Sequence, residues 1–349
     1  MNPVTALLDR RSLLAGGAAL SMGWSPCVSL GQRRKPTSEM ITPKTQQAIN
    51  GGLAFLARAQ QADGSFGGRG FTNGVAVCAL GGLAFMSSGD PPGQGKYGKN
   101  IERCVDFLIA RTQTSGFIGT VDGRDRMYGH GFASLFLAQA YGMVTHRDDV
   151  GPSLRKSIEL IVKAQNGQGG WRYQPTPRDA DLSVTICQMM ALRAAADAGI
   201  SVPKATRARA INYVRASQTA DGGFMYTHPR GHATMALTAA GLVSLQSAGI
   251  HDGPEIDKGL NRLMRYVPTG NHSGSQYYYY GHYYAAQATW HAGGTFYHRW
   301  YPAIRDELLS LRVAENGSWP STQHGGEYAT AMACIILQIP NNMLPIFAE

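Results

Sequence analysis

Two carboxylates and a recurring Gly-His pair are the parts of this 349-residue chain that could do chemistry. Asp179-Ala180-Asp181-Leu182 follows Arg178 and precedes Ser183, at the head of an uncharged stretch. A carboxylate there either caps a helix by accepting from its free N–H groups, or acts as an acid where burial keeps it protonated. Gly129-His130, Gly231-His232 and Gly281-His282 repeat one dipeptide, with His324-Gly325-Gly326-Glu327 as a fourth variant. Such a histidine either packs a helix end or serves as acid, base or ligand near neutral pH. Imidazole cannot protonate an unactivated alkene, so a ring of histidines favours binding, or gentler proton transfer on a polar group. The run Tyr277-Tyr278-Tyr279-Tyr280-Gly281-His282-Tyr283-Tyr284 offers π faces to line a cavity or stabilise cations. Consecutive side chains point to different sides, so at most half of these tyrosines share one cavity, with Tyr283 the candidate among them.

These residues need elements to position them, and the elements repeat at a period of roughly fifty residues. Gln60-Gln61-Ala62-Asp63-Gly64-Ser65-Phe66, Gln165-Asn166-Gly167-Gln168-Gly169-Gly170-Trp171 and Gln218-Thr219-Ala220-Asp221-Gly222-Gly223-Phe224 are the clearest turns. Gln113 to Phe117 is a shorter copy, Val313 to Trp319 has Val in place of Gln, and the Tyr277 to Tyr280 run stands in the remaining place. Before each turn lies a charged amphipathic segment, such as the one carrying Arg155, Lys156, Glu159 and Lys163. After each lies a segment without Lys, Arg, Asp or Glu: 73–88, 128–144, 182–192, 232–249, 282–294 and 328–339. A helix apolar or small on every side is buried on every side. Six buried helices alternating with six half-exposed ones predict an all-α (α/α)6 toroid, two concentric rings of six helices. The uncharged segments are too short, and too rich in Gly, Ser, Thr and Gln, to span a membrane.

We read residues 37–349 as one toroid of six helical hairpins, with 87–99 an expanded loop inside it. Residues 1–36 read as an export signal of the twin-arginine type, Asp9-Arg10-Arg11-Ser12-Leu13-Leu14 followed by the small and apolar run 15–22. That places the protein in the periplasm or outside the cell. Of the formal net charge of +9, about +5 remains beyond residue 36 and forms no basic stripe, so nucleic acid is not indicated as a partner. Cys78, Cys104, Cys187 and Cys334 fall within predicted helices as buried thiols, and no C-x-x-C pair suggests a metal or redox motif.

The Gln-x-x-Asp-Gly-Gly-aromatic turn, its period and the alternating helices resemble the prenyltransferase and squalene oxidase repeat superfamily. It includes squalene and hopene cyclases and protein prenyltransferase β subunits, and the likeness runs from about Lys44 to Ile346. The resemblance implies that each turn Gln ties neighbouring helix ends together and that each turn aromatic packs across its turn. Cyclases of the superfamily protonate an alkene with an Asp-x-Asp-Asp motif. Read without gaps, Asp179-Ala180-Asp181-Leu182 keeps two of its three acids; aligned through Thr185 to Leu192, Asp181 matches the first acid and Ser183 replaces the donor. Protein prenyltransferases hold zinc with Asp-x-Cys and His, for which Asp181-x-Ser183 and His232 are the counterparts, without the thiolate. No cofactor is expected otherwise, and no Asp-Asp-x-x-Asp motif is present to hold a diphosphate through magnesium.

Equivalent positions converge in a toroid, so His130, His232 and His282 are expected to ring one mouth with Asp181, Tyr128, Tyr283 and Tyr328. The chain is then an exported cyclase-like toroid with an aromatic, His-lined cavity that acts on or binds an isoprenoid or other lipid. As an enzyme it would be a cyclase- or mutase-like isomerase or a transferase. The alternative is a non-catalytic module that binds a small molecule, or scaffolds a protein partner, through the same cavity or rim.

Overall fold

A computed structural model describes residues 40–66, 74–119, 126–144, 148–270, 277–312, 315–321 and 324–347, all within a compact unit spanning Thr37–Glu349. The expected export signal, the position Asn73 and the pair Val313-Ala314 lie outside the described residues. The described residues form no strand, only isolated bridges at the turns. Twelve α-helices follow one another among the described residues: α1 Pro43–Ala59, α2 Val75–Met86, α3 Gly98–Ala110, α4 Met127–Tyr141, α5 Val150–Ala164, α6 Leu182–Asp197, α7 Lys204–Ala216, α8 Met235–Ser247, α9 Pro254–Leu263, α10 Tyr278–Ala292, α11 Gly294–Leu311 and α12 Gly325–Gln338.

The even-numbered helices close a ring. α2 packs on α4, α4 on α6, α6 on α8, α8 on α10, α10 on α12, and α12 returns to α2. Each odd-numbered helix lies outside, against the two inner helices that flank it. Charge sets this sorting. In α5, Leu154, Ile158 and Ile161 are buried while Arg155, Lys156, Glu159 and Lys163 face solvent. In α2 every residue but Ala76 is buried. The predicted toroid is therefore the observed fold.

The turns lock one hairpin to the next through a contact only glycine permits. Gly64 has φ +90°, and a Cβ there would come within 2.0 Å of the carbonyl oxygen of Arg103 on α3. Gly116, Gly169 and Gly222 sit in the same way on the carbonyls of Lys156, Arg209 and Lys258. Gly317 sits on Gly51 of α1, which carries the pattern across the seam between the last and first repeats. The turn glutamines reinforce the lock. Gln60 Nε2 donates to its own turn at Gly64 and to Asn100 of α3, Gln165 to Gly169 and Thr206, and Gln218 to Gly222 and Glu255. The aromatics seal what the glycines bring together: Trp171 and Trp319 are buried and donate Nε1–H to Ile161 and Leu308 of their own outer helices, each at 2.7 Å.

Candidate functional site

The mouth of the ring forms where the first turns of inner helices meet the strand-like segments that leave the turns. The carbonyl of Tyr173, two residues past Trp171, accepts from Met127 N–H at the start of α4. Tyr226, two past Phe224, does the same for Leu182 at the start of α6. These backbone bonds bring both phenols over the mouth, where the Tyr173 and Tyr226 hydroxyls hydrogen-bond each other. Arg172 lies over both rings, 5.2 Å from the Tyr173 centroid and 5.9 Å from that of Tyr226, and Arg126 lies 5.3 Å from Tyr173.

Asp181 is wholly buried at the centre of this arrangement and caps α6. Its Oδ1 accepts from Val184 N–H at 2.9 Å and from the Ser183 hydroxyl at 2.7 Å. Its Oδ2 accepts from the Tyr226 hydroxyl at 3.4 Å and lies 3.8 Å from Arg172 Nε. Burial raises its pKa above the ordinary carboxylate value, opposed by the Ser183, Val184, Arg172 and Tyr226 contacts. Burial alone favours the protonated form, while the four donors around the carboxyl favour the ionised one. Asp179 is exposed and paired with Arg172 Nη1 at 3.0 Å, so it adds no second acid inside. Ser183, standing where the second alignment places the donor, bonds the Tyr128 hydroxyl through its own Oγ, while its carbonyl accepts from Tyr280 at 2.9 Å.

Below the mouth the bore is filled from its own walls. Tyr284 of α10 reaches Cys187 of α6 at 3.4 Å. Tyr283 of α10 meets Phe132 of α4 edge to face, with ring centroids 6.1 Å apart. Burial pushes the Cys187 thiol up to about 12 and raises the phenols of Tyr283 and Tyr284.

The three histidines do not ring this mouth together. His130 turns outward: its Nδ1 accepts from Ile118 N–H at 3.0 Å, its Nε2 faces the Ser157 carbonyl on α5 at 3.2 Å, and its ring stacks on Phe117. It anchors a turn, as Thr185 does by accepting from Trp171 N–H at 3.1 Å and Thr330 from Trp319 N–H at 3.0 Å. His282 is likewise buried toward the outer ring, against Tyr278 and Trp300, with centroids 4.6 and 5.7 Å away. His232 is exposed, and α8 begins only at Met235 with Thr234 as its cap. The physical reason is common to all three: Gly-His marks the approach to a helix, while the side chain's direction depends on its register within that helix. Asp181 and His232, the expected zinc counterparts, belong to no cluster of three His, Cys, Asp or Glu among the described residues, and the Asp181 oxygens already have partners.

Sequence reasoning missed Arg172, Tyr173 and Tyr226. Their signal was positional: each tyrosine stands two residues past a turn aromatic.

The chain matches the family described as Prenyltransferase alpha-alpha toroid domain over residues 36–129 and 126–275. It is 28% identical over 164 residues to drimenyl diphosphate synthase of Streptantibioticus cattleyicolor, a match spanning 43% of this chain and 29% of that relative's length. A type II terpene cyclase from Scytonema, solved with geranylgeranyl dihydroxybenzoate, superposes with a TM-score of 0.61 at 16% identity over 86% of this chain and 98% of that one. An alpha-1,6-mannanase of Salegentibacter sp. HEL1_6 superposes with a TM-score of 0.65 at 9% identity over 85% and 99%. At such identities the structural likenesses speak for the fold alone.

Proposed function

Since the chain belongs to the prenyltransferase alpha-alpha toroid family, we propose that it is an exported, non-catalytic member that binds an isoprenoid or similar lipid at the ring mouth. The polar end of such a ligand meets Arg172 and the hydroxyls of Tyr128, Tyr173 and Tyr226. Its carbon chain lies on the half-buried faces of Tyr128, Tyr280 and Tyr328. The observation that carries this reading is the state of Asp181. Its oxygens face Val184 N–H, two hydroxyls and Arg172, an environment for an ionised acceptor rather than a proton donor.

Export rests on the twin-arginine reading of residues 1–36 and is tested by intact mass after fractionation, which should show a periplasmic or secreted form cut before Thr37. Ligand binding is tested by titrating the protein with an isoprenoid alcohol, extracting the mixture and analysing it by gas chromatography and mass spectrometry. The expected result is saturable binding with the alcohol recovered unchanged. A cyclised product absent from an Asp181→Asn control would overturn the non-catalytic reading, and absence of saturable binding would overturn the ligand class.

A further inference from the structure

Cys78 on inner helix α2 and Cys104 on outer helix α3 are wholly buried reduced thiols. The repeat sets their meeting. Cys104 follows Arg103, the residue under the turn glycine Gly64, and its counterpart in the next repeat, following Lys156, is Ser157. Cys78 stands four residues after the cap Gly74, as His130 stands four after the cap Arg126. That second pair touches, His130 Nε2 lying 3.2 Å from the Ser157 carbonyl, so the two positions face each other across the boundary between rings. In the first repeat both carry sulfur. Cys78 Sγ lies 3.7 Å from the Cys104 carbonyl and 3.5 Å from that of Gly64. The turn residue Gln60 closes the cluster, its Nε2 3.2 Å from Cys104 Sγ. Cys187 points instead at Tyr284, and Cys334 packs beside Gly52.

We propose that Cys78 and Cys104 form a disulfide when the chain folds in the presence of a small-molecule disulfide such as oxidised glutathione, covalently stapling the inner ring to the outer in the first hairpin. One cysteine thiolate attacks the small disulfide, forming a mixed disulfide and releasing one thiolate, which takes up a proton. The second cysteine, deprotonated, attacks the protein-side sulfur, forming the Cys78–Cys104 bond and releasing the second small thiol. Two protein thiols are oxidised and one small disulfide is reduced to two thiols. Because both cysteines are buried once the hairpin closes, the exchange belongs to folding or to local opening of the first turn.

The test is to refold the full chain from denaturant with oxidised and reduced glutathione, alkylate it in denaturant, and map the unreduced digest by mass. The expected result is a Cys78 peptide joined to a Cys104 peptide and lighter by two hydrogens, with Cys187 and Cys334 alkylated. Reduction should lower the melting temperature by about 5 °C. Cys104→Ser should lose the link and the sensitivity of its melting to reductant. Should that variant not fold, the wild-type map decides alone: Cys78 and Cys104 both alkylated after oxidative refolding, or joined to other cysteines, would overturn the proposal.

Discussion

Phe132 and Tyr283 meet across the full width of the inner ring, from α4 on one side and α10 on the other, with centroids 6.1 Å apart. The contact spans the bore between opposite inner helices. Among the described residues the buried Tyr283 hydroxyl has no hydrogen-bond partner. Two variants separate the ring from its hydroxyl. Tyr283→Phe removes only an unsatisfied polar atom and is expected to leave stability within about 1 kcal/mol, or to raise it. Tyr283→Ala removes the plug, with an expected loss of roughly 3–5 kcal/mol in denaturant melts and tighter binding of longer apolar chains. A Tyr283→Ala protein of wild-type stability would show that the bore is not packed there.

Trp171 tests the turn. It is 1% exposed and its Nε1–H is bonded to the Ile161 carbonyl, so Trp171→Ala removes both a large buried side chain and a hydrogen bond. The expected cost is about 3 kcal/mol or more by chemical denaturation. A loss under about 0.5 kcal/mol, the size of an ordinary surface change, would mean the aromatic is not a packing element.

Acid stability tests the outward histidines. Burial holds His130 and His282 neutral, with pKa values lowered to about 4 and about 3 from 6.5. An unfolded chain binds protons at these rings before the folded chain does, so their contribution is whole above about pH 6.5 and is lost as pH falls toward 4 and then 3. Each site is worth on the order of a few kcal/mol across that window. Melting temperatures between pH 7.5 and pH 4 should therefore fall, and His282→Phe should flatten the fall. Equal pH slopes in variant and wild type would place His282 in contact with water.

The ring-closing glycine offers a further test. Gly317 has φ +84°, and a Cβ there would lie 2.6 Å from the Gly51 carbonyl, across the seam between the last and first repeats. Gly317→Ala is expected to cost on the order of 1–3 kcal/mol through backbone strain. It should also raise hydrogen exchange selectively in α1 and α11, the helices that flank the seam. Uniform exchange throughout the chain would argue against a distinct seam.

The toroid was legible in the sequence because two signals with separate physical causes coincided: glycine-aromatic turns needing positive φ, and uncharged segments needing burial on all sides. Asp181 was legible as a helix cap for the same local reason. The histidine ring was not, because side-chain direction turns by about 100° per residue. Whether a histidine stands inside its helix, as His130 and His282 do, or ahead of it, as His232 does, cannot be weighed until the caps Arg126, Tyr277 and Thr234 are located. Arg172, Tyr173 and Tyr226 escaped notice because backbone bonds to a neighbouring hairpin place them, and such partners are distant in sequence.

The central claim is that Asp181 holds the mouth together as an ionised acceptor, and the thermal melt of Asp181→Ala tests it most directly. The substitution strips Val184 N–H and the Ser183 hydroxyl of their shared acceptor, while Arg172 keeps Asp179, so a buried N–H is left unsatisfied. The account predicts a melting temperature lower by several degrees, corresponding to about 2 kcal/mol or more. A variant that melts with the wild type would contradict it, returning Asp181 to the role of an acid kept for chemistry rather than for structure.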